Sequence, residues 1–426
     1  MNYYLMNKNK PLIRFNIIEE FGEEIPQTIE TLTEVPVWFP DLRNWLENRN
    51  AAKHRAFVRD LLVKMKANTI TGFISLTNCL SLQDTLWVKP ENSNLTWENI
   101  NLFDNEFSEV MTHMAFDGTG LYGIRIRTTS PELTTDGTYD KCWVRRNGNI
   151  FLLKAGSTGA RNAGLEPYCE YIASQFYTKF CNDSVLYDIG TYRNRVVSSC
   201  KSFSNENVGY KPISLWVKND TSIKNILNII EKYNFDENEF KRMIIADSVC
   251  VNSDRHFGNF GFLIDNKTLS PVSLAPIFDF NMAFSPYAEF DIDYPAYDEY
   301  LLKRGPVMGK DYISVAKSLL DSDMRSDLIN LKDLKLVLPD WCFEKHKYQF
   351  TRKRLDYINE IKNVQIDRIL GKSRSFSFTE DIRTTKTERS QNNDISETEM
   401  VQEEPDDTEG TGIEDPFLRS KFTWEE

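Results

Sequence analysis

The stretch Asn252-Ser253-Asp254-Arg255-His256-Phe257-Gly258-Asn259 decides the expected fold of this chain. It places a carboxylate, Asp254, five residues before a carboxamide, Asn259, and a second carboxylate, Asp279, follows in Ile277-Phe278-Asp279-Phe280. Phosphoryl transfer from ATP needs an Asp to orient a hydroxyl, and an Asn and a second Asp to hold metal ions. The spacing therefore predicts Asp254 as a catalytic base and Asn259 and Asp279 as Mg²⁺ ligands.

The order of residues in this stretch separates it from the common protein-kinase pattern. The usual kinase loop has the same Asp-to-Asn spacing, with a second metal-binding Asp downstream before a Phe. Here Asp-Arg-His stands in place of His-Arg-Asp, and Pro-Ile-Phe-Asp-Phe follows at residues 276–280. This inverted order resembles the HipA-like serine/threonine kinases of bacteria. The resemblance implies a two-lobed protein-kinase-like fold, ATP and Mg²⁺ as cofactors, and transfer of the γ-phosphate to a Ser or Thr hydroxyl.

Each residue of the set also has an ordinary structural explanation. A loop Asp often accepts backbone N–H groups, an Asn after Gly is typical of turns, and an Asp can cap a strand end. Asp254, Asn259 and Asp279 occur together at the kinase spacing, which favours the functional interpretation. His256 is predicted to support Asp254 in catalysis, either by orienting it or by packing under the loop. Arg255 is expected to pair with a phosphate or with an acidic neighbour.

A β-hairpin is indicated at residues 141–154, because apolar and aromatic flanks surround the turn Asn147-Gly148-Asn149. Lys154 ends the second strand and is followed by Ala155-Gly156. HipA-like kinases have a Lys at the end of a similar strand, before a small residue and Gly, so the resemblance implies that Lys154 contacts the ATP phosphates. The alternative is an edge-strand Lys that prevents aggregation.

The apolar spacing after this hairpin predicts a helix over residues 166–180. By the family pattern, Glu166 near its start is the ATP-site carboxylate that holds Lys154. Glu170 lies one turn later on the same face, so the sequence leaves open which of the two pairs with Lys154.

Two further nucleotide-contacting segments are suggested by their places in the chain. Residues 199–203 follow a strand and are expected to form the hinge beside adenine, with Cys200 and Ser202 at the ATP site. Residues 130–141 are rich in hydroxyl groups and lie where the family has its phosphate loop. A phosphate cradle and an ordinary polar loop are both open interpretations of this second segment.

The whole chain is predicted to have an α+β, two-lobed HipA-like fold with four parts. Residues 1–125 form a mixed α/β segment, 126–205 a kinase N-lobe, 206–370 a mostly helical C-lobe and 371–426 an acidic disordered tail. Helices are expected near residues 235–251, 315–331 and 348–370, and paired strands between residues 260 and 277. The tail from residue 372 has fifteen acidic residues against seven basic ones. At its start, Ser373, Ser375 and Ser377 are either phosphoacceptors or plain solvated serines.

Composition bounds the location and partners of the protein. The chain has 426 residues, 41% of them hydrophobic, with no membrane-length apolar stretch and no signal-peptide pattern, so a cytoplasmic protein is expected. Its seven scattered cysteines predict free buried thiols. A net charge of −12 without a basic stripe makes direct nucleic-acid binding unexpected. The family includes toxin kinases that act with antitoxins, so the resemblance implies a protein Ser/Thr substrate and an antitoxin-like partner.

Two other functions stay open at this level. One is a non-catalytic regulator that binds nucleotide or DNA on a kinase scaffold. The other is a small-molecule kinase, because a fold does not fix the acceptor. The set Lys154, Asp254, Asn259 and Asp279 argues against the regulator, since a pure binding protein has no need of a base.

Overall fold

The computed structural model describes residues 1–49, 56–64, 67–118, 130–135, 137–160, 162–289, 292–345 and 350–378. Strands within these ranges are β1 (Asn2–Asn7), β2 (Lys10–Glu20), β3 (Glu23–Thr31), β4 (Leu86–Pro90), β5 (Lys141–Arg146), β6 (Asn149–Ala155), β7 (Asp188–Tyr192), β8 (Arg195–Lys201), β9 (Val208–Pro212), β10 (Gly261–Asp265) and β11 (Pro271–Leu274). They form three antiparallel sheets, in the orders β3-β2-β1-β4, β5-β6-β8-β7 and β11-β10-β9.

The helices of the same ranges are α1 (Leu42–Arg49), α2 (Ala56–Lys64), α3 (Ile70–Thr77), α4 (Trp97–Ile100), α5 (Glu109–Asp117), α6 (Glu166–Phe180), α7 (Ile223–Lys232), α8 (Glu237–Val249), α9 (Tyr297–Lys303), α10 (Tyr312–Leu319), α11 (Ser322–Asn330), α12 (Asp340–Lys345) and α13 (Arg352–Ile369). Strands dominate the middle of the chain and helices dominate its second half. The predicted α+β, two-lobed fold is confirmed. Among the described residues, none of these helices has the length and apolar content needed to cross a membrane.

The front segment is joined to the rest through a buried carboxylate. Asp84 accepts bonds from Arg49 of its own segment and from Lys211 of β9. Burial alone would raise the pKa of Asp84, but these two cations lower it to about 2. Next to this pair, the Tyr210 N–H donates to the Gln83 carbonyl at 2.7 Å. The front segment therefore packs directly on the small sheet that also carries β10.

The hairpin predicted at residues 141–154 is formed by β5 and β6. Its turn residues Asn147 and Gly148 have φ of 47° and 74°, the left-handed values that Asn and Gly adopt at low cost. Helix α6 begins at Glu166 and ends at Phe180, as its apolar spacing predicted. Its buried face includes Ile172 and Phe176, which join the main hydrophobic core with residues of all three sheets. Lys154 is thereby held between a sheet and a helix.

The second half of the chain differs from prediction at one helix. The single helix expected near residues 315–331 is two helices, α10 and α11. The chain turns at Leu320, and the Asp321 side chain accepts from the Met324 N–H to cap the start of α11. Apolar periodicity continues through this break, so only the capping residue signalled it.

The tail also begins differently. Disorder was predicted from residue 371, yet Phe378 is 5% exposed and belongs to the main core. Residues 372–378 pack on α9 and α13 because two phenylalanines supply apolar area that the acidic remainder of the tail lacks. The remaining tail, residues 379–426, lies outside the described residues. All seven cysteines are free and buried, as expected.

Candidate active site

The loop after α8 holds Asp254 and Asn259 in a fixed relation. The Asn259 side-chain amide donates to the Asp254 carbonyl at 3.0 Å, and the Asp254 N–H donates to the Asn252 side chain at 3.2 Å. The Asn259 N–H is satisfied by the His256 carbonyl. With its NH₂ group used in this way, Asn259 presents its side-chain oxygen. An oxygen is the atom that Mg²⁺ prefers.

Arg255 holds this loop in place from its buried side. Its guanidinium contacts Asp247 of α8 at 3.0 Å and donates to the carbonyls of Asn259 at 2.8 Å and Phe278 at 2.5 Å. Arg255 is buried, and its charge is matched by Asp247. Of the two roles open from sequence, pairing with an acidic neighbour is the one observed. Arg255 thus ties the Asp254 loop to the strand end before Asp279.

Asp279 is placed by the backbone and by its aromatic neighbours. Its φ is 62°, a left-handed value that is uncommon for residues other than Gly. Phe278 packs edge-on to Tyr210, with ring centroids 5.3 Å apart, while Phe280 stacks on Tyr177 at 4.0 Å. These two anchors fix the chain on both sides of Asp279. A strained residue held by its surroundings is typical of functional sites.

Lys154 is the centre of the site. Its ammonium lies 2.6 Å from a carboxylate oxygen of Glu170 and 2.6 Å from one of Asp279. Glu170 is fully buried and also accepts from the Ser198 hydroxyl and, at 3.3 Å, from the Phe280 N–H. The β6 strand, helix α6 and the Asp279 segment therefore meet at one ammonium group. This excludes the edge-strand interpretation of Lys154.

The question of which glutamate pairs with Lys154 has a clear geometric answer. The expected partner Glu166 does not contact Lys154. It accepts from the Ser157 N–H at 3.1 Å and from the Tyr287 hydroxyl at 2.5 Å. One turn further along α6, Glu170 lies directly under β6 and reaches the lysine. The prediction for Glu166 is corrected accordingly: it is buried beside the site but binds the loop after Lys154.

Glycine at position 156 is explained by the same contact. A Cβ on Gly156 would lie 2.5 Å from the Gly164 Cα and 2.7 Å from a Glu166 carboxylate oxygen. The Gly156 backbone can therefore approach Gly164 and Glu166 this closely only if position 156 has no side chain. This accounts for the Gly in the Lys-small-Gly pattern.

The pKa values of the two aspartates, Asp254 and Asp279, are shifted in opposite directions. Burial raises the pKa of Asp254 above that of an ordinary Asp; Asp279 adds to the rise and His256 opposes it. Burial also acts on Asp279, but the Lys154 ammonium outweighs it and lowers the pKa of that carboxyl. Asp279 is thus set to stay ionised, as a metal ligand requires, and Asp254 has the basicity of a proton acceptor.

His256 is exposed, and its Nδ1 accepts from the Gly258 N–H at 3.0 Å. It does not pack under the loop, which was one of the two roles open from sequence. A supporting role for His256 stays a prediction.

The hinge residues lie where the four-stranded sheet leads into β9. Cys200 is buried in β8 opposite Leu152 of β6. The Ser202 N–H donates to the Ile150 carbonyl at 2.8 Å, and its hydroxyl bonds to Ser204. The Ser202 N–H is therefore already hydrogen-bonded within the protein, so a nucleotide contact at Ser202 would have to be made by its backbone carbonyl. The ATP contacts of Cys200 and Ser202 stay predictions.

The segment proposed as a phosphate loop is mostly packed. Residues 131–134 form a buried turn of 3₁₀-helix. The Ser130 hydroxyl donates to Glu132, the Thr134 hydroxyl to the Leu80 carbonyl and the Thr135 hydroxyl to the Pro131 carbonyl. These hydroxyls cannot also cradle phosphates, because each is bonded inside the protein. Residue 136 lies outside the described residues.

One cation near the site was not anticipated from sequence. Lys141, the first residue of β5, pairs in register with Lys154, is buried and helps to lower the pKa of Asp279. A Cβ on Gly137 would lie 2.1 Å from its ammonium nitrogen. The available signal was positional, since residues directly opposite each other in an antiparallel hairpin point to the same side of the sheet.

The donor set fits a magnesium ion. Asp279 offers the carboxylate oxygen that Lys154 does not take, and Asn259 offers its amide oxygen. Mg²⁺ is usually held by one or two such groups together with phosphates and waters. In the part of the chain that the structure describes, no cluster of three or more His, Cys, Asp or Glu residues is placed to hold a metal.

Comparison with known proteins adds an independent observation. No protein-family profile matches the chain. The serine/threonine-protein kinase CtkA of Helicobacter pylori strain J99 is 32% identical over 117 aligned residues, which are 24% of this chain and 35% of that protein. Over this stretch the chain is similar in sequence to that serine/threonine-protein kinase. The match spans about a third of the curated relative's length.

Two solved structures are similar to this chain. One is the crystal structure of the Helicobacter pylori proinflammatory kinase CtkA, with a TM-score of 0.41 and 18% identity, covering 54% of this chain and 92% of that one. The other is HipA of Shewanella oneidensis in complex with HipB and operator DNA, with a TM-score of 0.45 and 10% identity, covering 87% and 98%. The roles of individual residues in this candidate site rest on its own geometry.

Proposed function

We propose that the chain is an ATP- and Mg²⁺-dependent kinase that transfers the γ-phosphate to a Ser or Thr hydroxyl of a protein. The observation that carries the proposal is the convergence on Lys154 of Glu170 and Asp279, beside the loop of Asp254 and Asn259. This arrangement brings together a phosphate-binding cation, metal-binding oxygens and a base. Phosphoryl transfer depends on positioning these groups.

Each residue has a defined task in this proposal. Lys154 binds the phosphates, and Glu170 orients its ammonium group. Asp279 and Asn259 would hold Mg²⁺, which neutralises phosphate charge when bound. Asp254 accepts the proton of the acceptor hydroxyl, and the raised pKa from burial suits it to that step.

The proposed partners are ATP, a protein substrate and, by the resemblance to HipA-like kinases, an antitoxin-like protein. A site on the surface of a two-lobed fold leaves room for a protein segment to approach Asp254, which is half-buried. The proposed location is the cytoplasm, where ATP is available.

Incubation of the purified protein with radiolabelled ATP, Mg²⁺ and a cell lysate tests the proposal. We expect label on protein serine or threonine, and its loss by at least about 100-fold in Asp254→Asn, because general-base catalysis contributes roughly that factor. Calorimetry should show that this variant still binds Mg·ATP. Undiminished transfer by Asp254→Asn would refute the role of the base, and label on small molecules alone would make the chain a small-molecule kinase.

A further inference from the structure

Residues 372–378, here called the aromatic strap, run back over the helical half of the protein. Burial alternates along its end: Phe376 and Phe378 face the protein, while Ser375 and Ser377 are exposed. The Phe378 ring lies 4.6 Å from that of Tyr357, measured between centroids. Two phenylalanines thus attach a short segment that has no helix or strand of its own.

The strap sits on a cluster of tyrosines. Phe378 meets Tyr294 edge-on at 5.2 Å, and Phe376 meets Tyr297 edge-on at 5.0 Å. Both tyrosines are buried: Tyr297 begins α9, and Tyr294 begins the short 3₁₀ turn just before it. Aromatic pairs at these distances add to the stabilisation from buried area.

A polar latch holds the strap at Ser377. The Ser377 N–H and hydroxyl both donate to the same Glu360 carboxylate oxygen, at 2.9 and 2.6 Å. Ser375, two residues earlier, is exposed and makes no hydrogen bond with the described residues. The latch therefore depends on one hydroxyl that is both a donor and open to solvent.

We propose that Ser377 is a phosphoacceptor site, and that a phosphate there releases the aromatic strap. The inference rests on the proposed function, because the chain itself supplies the phosphoryl transfer. The Ser377 oxygen forms a bond to the γ-phosphorus of ATP, and the bond between that phosphorus and the β-phosphate oxygen breaks. ADP leaves with the electron pair, and the hydroxyl proton goes to Asp254 of the molecule that acts as enzyme.

Phosphorylation would change the contact between Ser377 and Glu360 from attractive to repulsive. A phosphoserine has no hydroxyl proton to donate and carries about −1.5 to −2 charges at neutral pH. It would stand against the Glu360 carboxylate, so attraction becomes repulsion. The nearest strap cations, Lys372 and Arg374, are already paired with Asp367. Lys353 lies over the Tyr357 ring.

The strap is connected to the segment that follows Asp279. The Tyr297 hydroxyl shares a hydrogen bond with the Ser285 hydroxyl at 2.9 Å. Arg354 of α13 donates to the Ser285 and Pro286 carbonyls. The strap covers Tyr297, which lies at one end of this set of hydrogen bonds. A phosphate on Ser377 would therefore uncover Tyr297, which braces Ser285 six residues after Asp279.

The first experiment maps phosphates by mass spectrometry after the full chain is incubated with Mg·ATP, with Asp254→Asn as the control. Phosphate on Ser377 in the active protein and not in the control is expected. If the active protein labels a generic acceptor protein but not Ser377, the inference is wrong and the proposed function stands. If it labels nothing, the proposed function fails and the inference fails with it.

The second experiment measures amide hydrogen exchange in the strap and needs no kinase activity. In Ser377→Glu we expect exchange over residues 372–378 to rise by about tenfold or more, because like charges in contact oppose docking. The matched control Ser375→Glu adds the same charge two residues away and should stay within about twofold of the wild type. Equal amide hydrogen exchange in the two variants, or slower exchange in Ser377→Glu than in the wild type, would refute the proposed release of the strap.

A double variant isolates the carboxylate. Glu360→Gln removes the charge that a phosphate would face while keeping an oxygen that accepts hydrogen bonds. The pair Ser377→Glu with Glu360→Gln should recover most of the lost protection. If it exchanges as fast as Ser377→Glu alone, repulsion from Glu360 is not the cause and the proposed latch is refuted.

Discussion

Replacing Glu170 with Gln tests which glutamate organises the site. The Lys154 ammonium lies 2.6 Å from Glu170, with side-chain exposures of 7% and 0%. Removing one partner of a buried ion pair can cost about 3–5 kcal/mol when the other charge is left alone. Here Lys154 keeps Asp279, and Gln keeps an acceptor oxygen. The loss should therefore be that of a charged hydrogen bond, about 2 kcal/mol in the free energy of unfolding.

The same change should weaken nucleotide binding. Without the Glu170 charge, Lys154 is drawn towards Asp279, and both are less well placed for phosphate and metal. We expect the Kd of Mg·ATP to rise by about tenfold, equivalent to about 1.4 kcal/mol. Urea unfolding without nucleotide measures the first quantity, and titration calorimetry with Mg·ATP measures the second.

Glu166→Gln is the matched control, since it makes the same chemical change one turn earlier on α6. Its two bonds, from the Ser157 N–H and the Tyr287 hydroxyl, can both be accepted by the Gln oxygen. The expected cost is below about 1 kcal/mol, with Mg·ATP affinity within about threefold of the wild type. If Glu166→Gln weakens Mg·ATP binding more than Glu170→Gln does, the pairing of Lys154 with Glu170 is not what positions the lysine.

Three further predictions concern metal, pH and backbone fit. Asp279→Asn should abolish the Mg²⁺ dependence of ATP affinity, because it removes the charged metal ligand; calorimetry with and without Mg²⁺ would contradict this if the dependence persisted. Asp254 must be ionised to act, so activity should fall as pH drops through its raised pKa; a pH profile of kcat/KM that stays flat into the acid range would count against it. Gly156→Ala should lower the free energy of unfolding by about 1–3 kcal/mol in urea, because the new Cβ would lie 2.5 Å from the Gly164 Cα, and unchanged stability would show that the loop yields easily.

The sequence was most informative where spacing along the chain is also spacing in the structure. Asp254 and Asn259 lie in one tight loop, and residues 141–154 form a hairpin whose turn residues demand its geometry. Local patterns of this kind do not depend on distant contacts. The helix α6 was located for the same reason, because its apolar face is continuous.

Features that depend on contacts between residues far apart in the sequence could not be predicted from local patterns. Glu166 and Glu170 share one helix face, and only the way α6 lies against β6 decides which of them reaches Lys154. The hydroxyls near residue 130 resemble a phosphate loop until the Leu80 carbonyl, which is remote in sequence, takes one of them. The acidic composition of the surrounding tail hid the contribution of the strap phenylalanines. Composition is an average over a whole segment, whereas docking needs only two aromatic rings.

Asp84 has a practical consequence for anyone who would study the catalytic half by itself. A chain shortened to begin after the front segment would keep Lys211, which is 7% exposed, but would lose the carboxylate that neutralises it. Lys211 lies in β9, and β9 pairs with β10, whose first residue is two positions after Asn259. An uncompensated ammonium would thus be left under the strand that begins next to the loop of Asn259. The half that carries the candidate site is therefore a poor unit for grafting, and a transferred piece should carry Asp84 and Lys211 together.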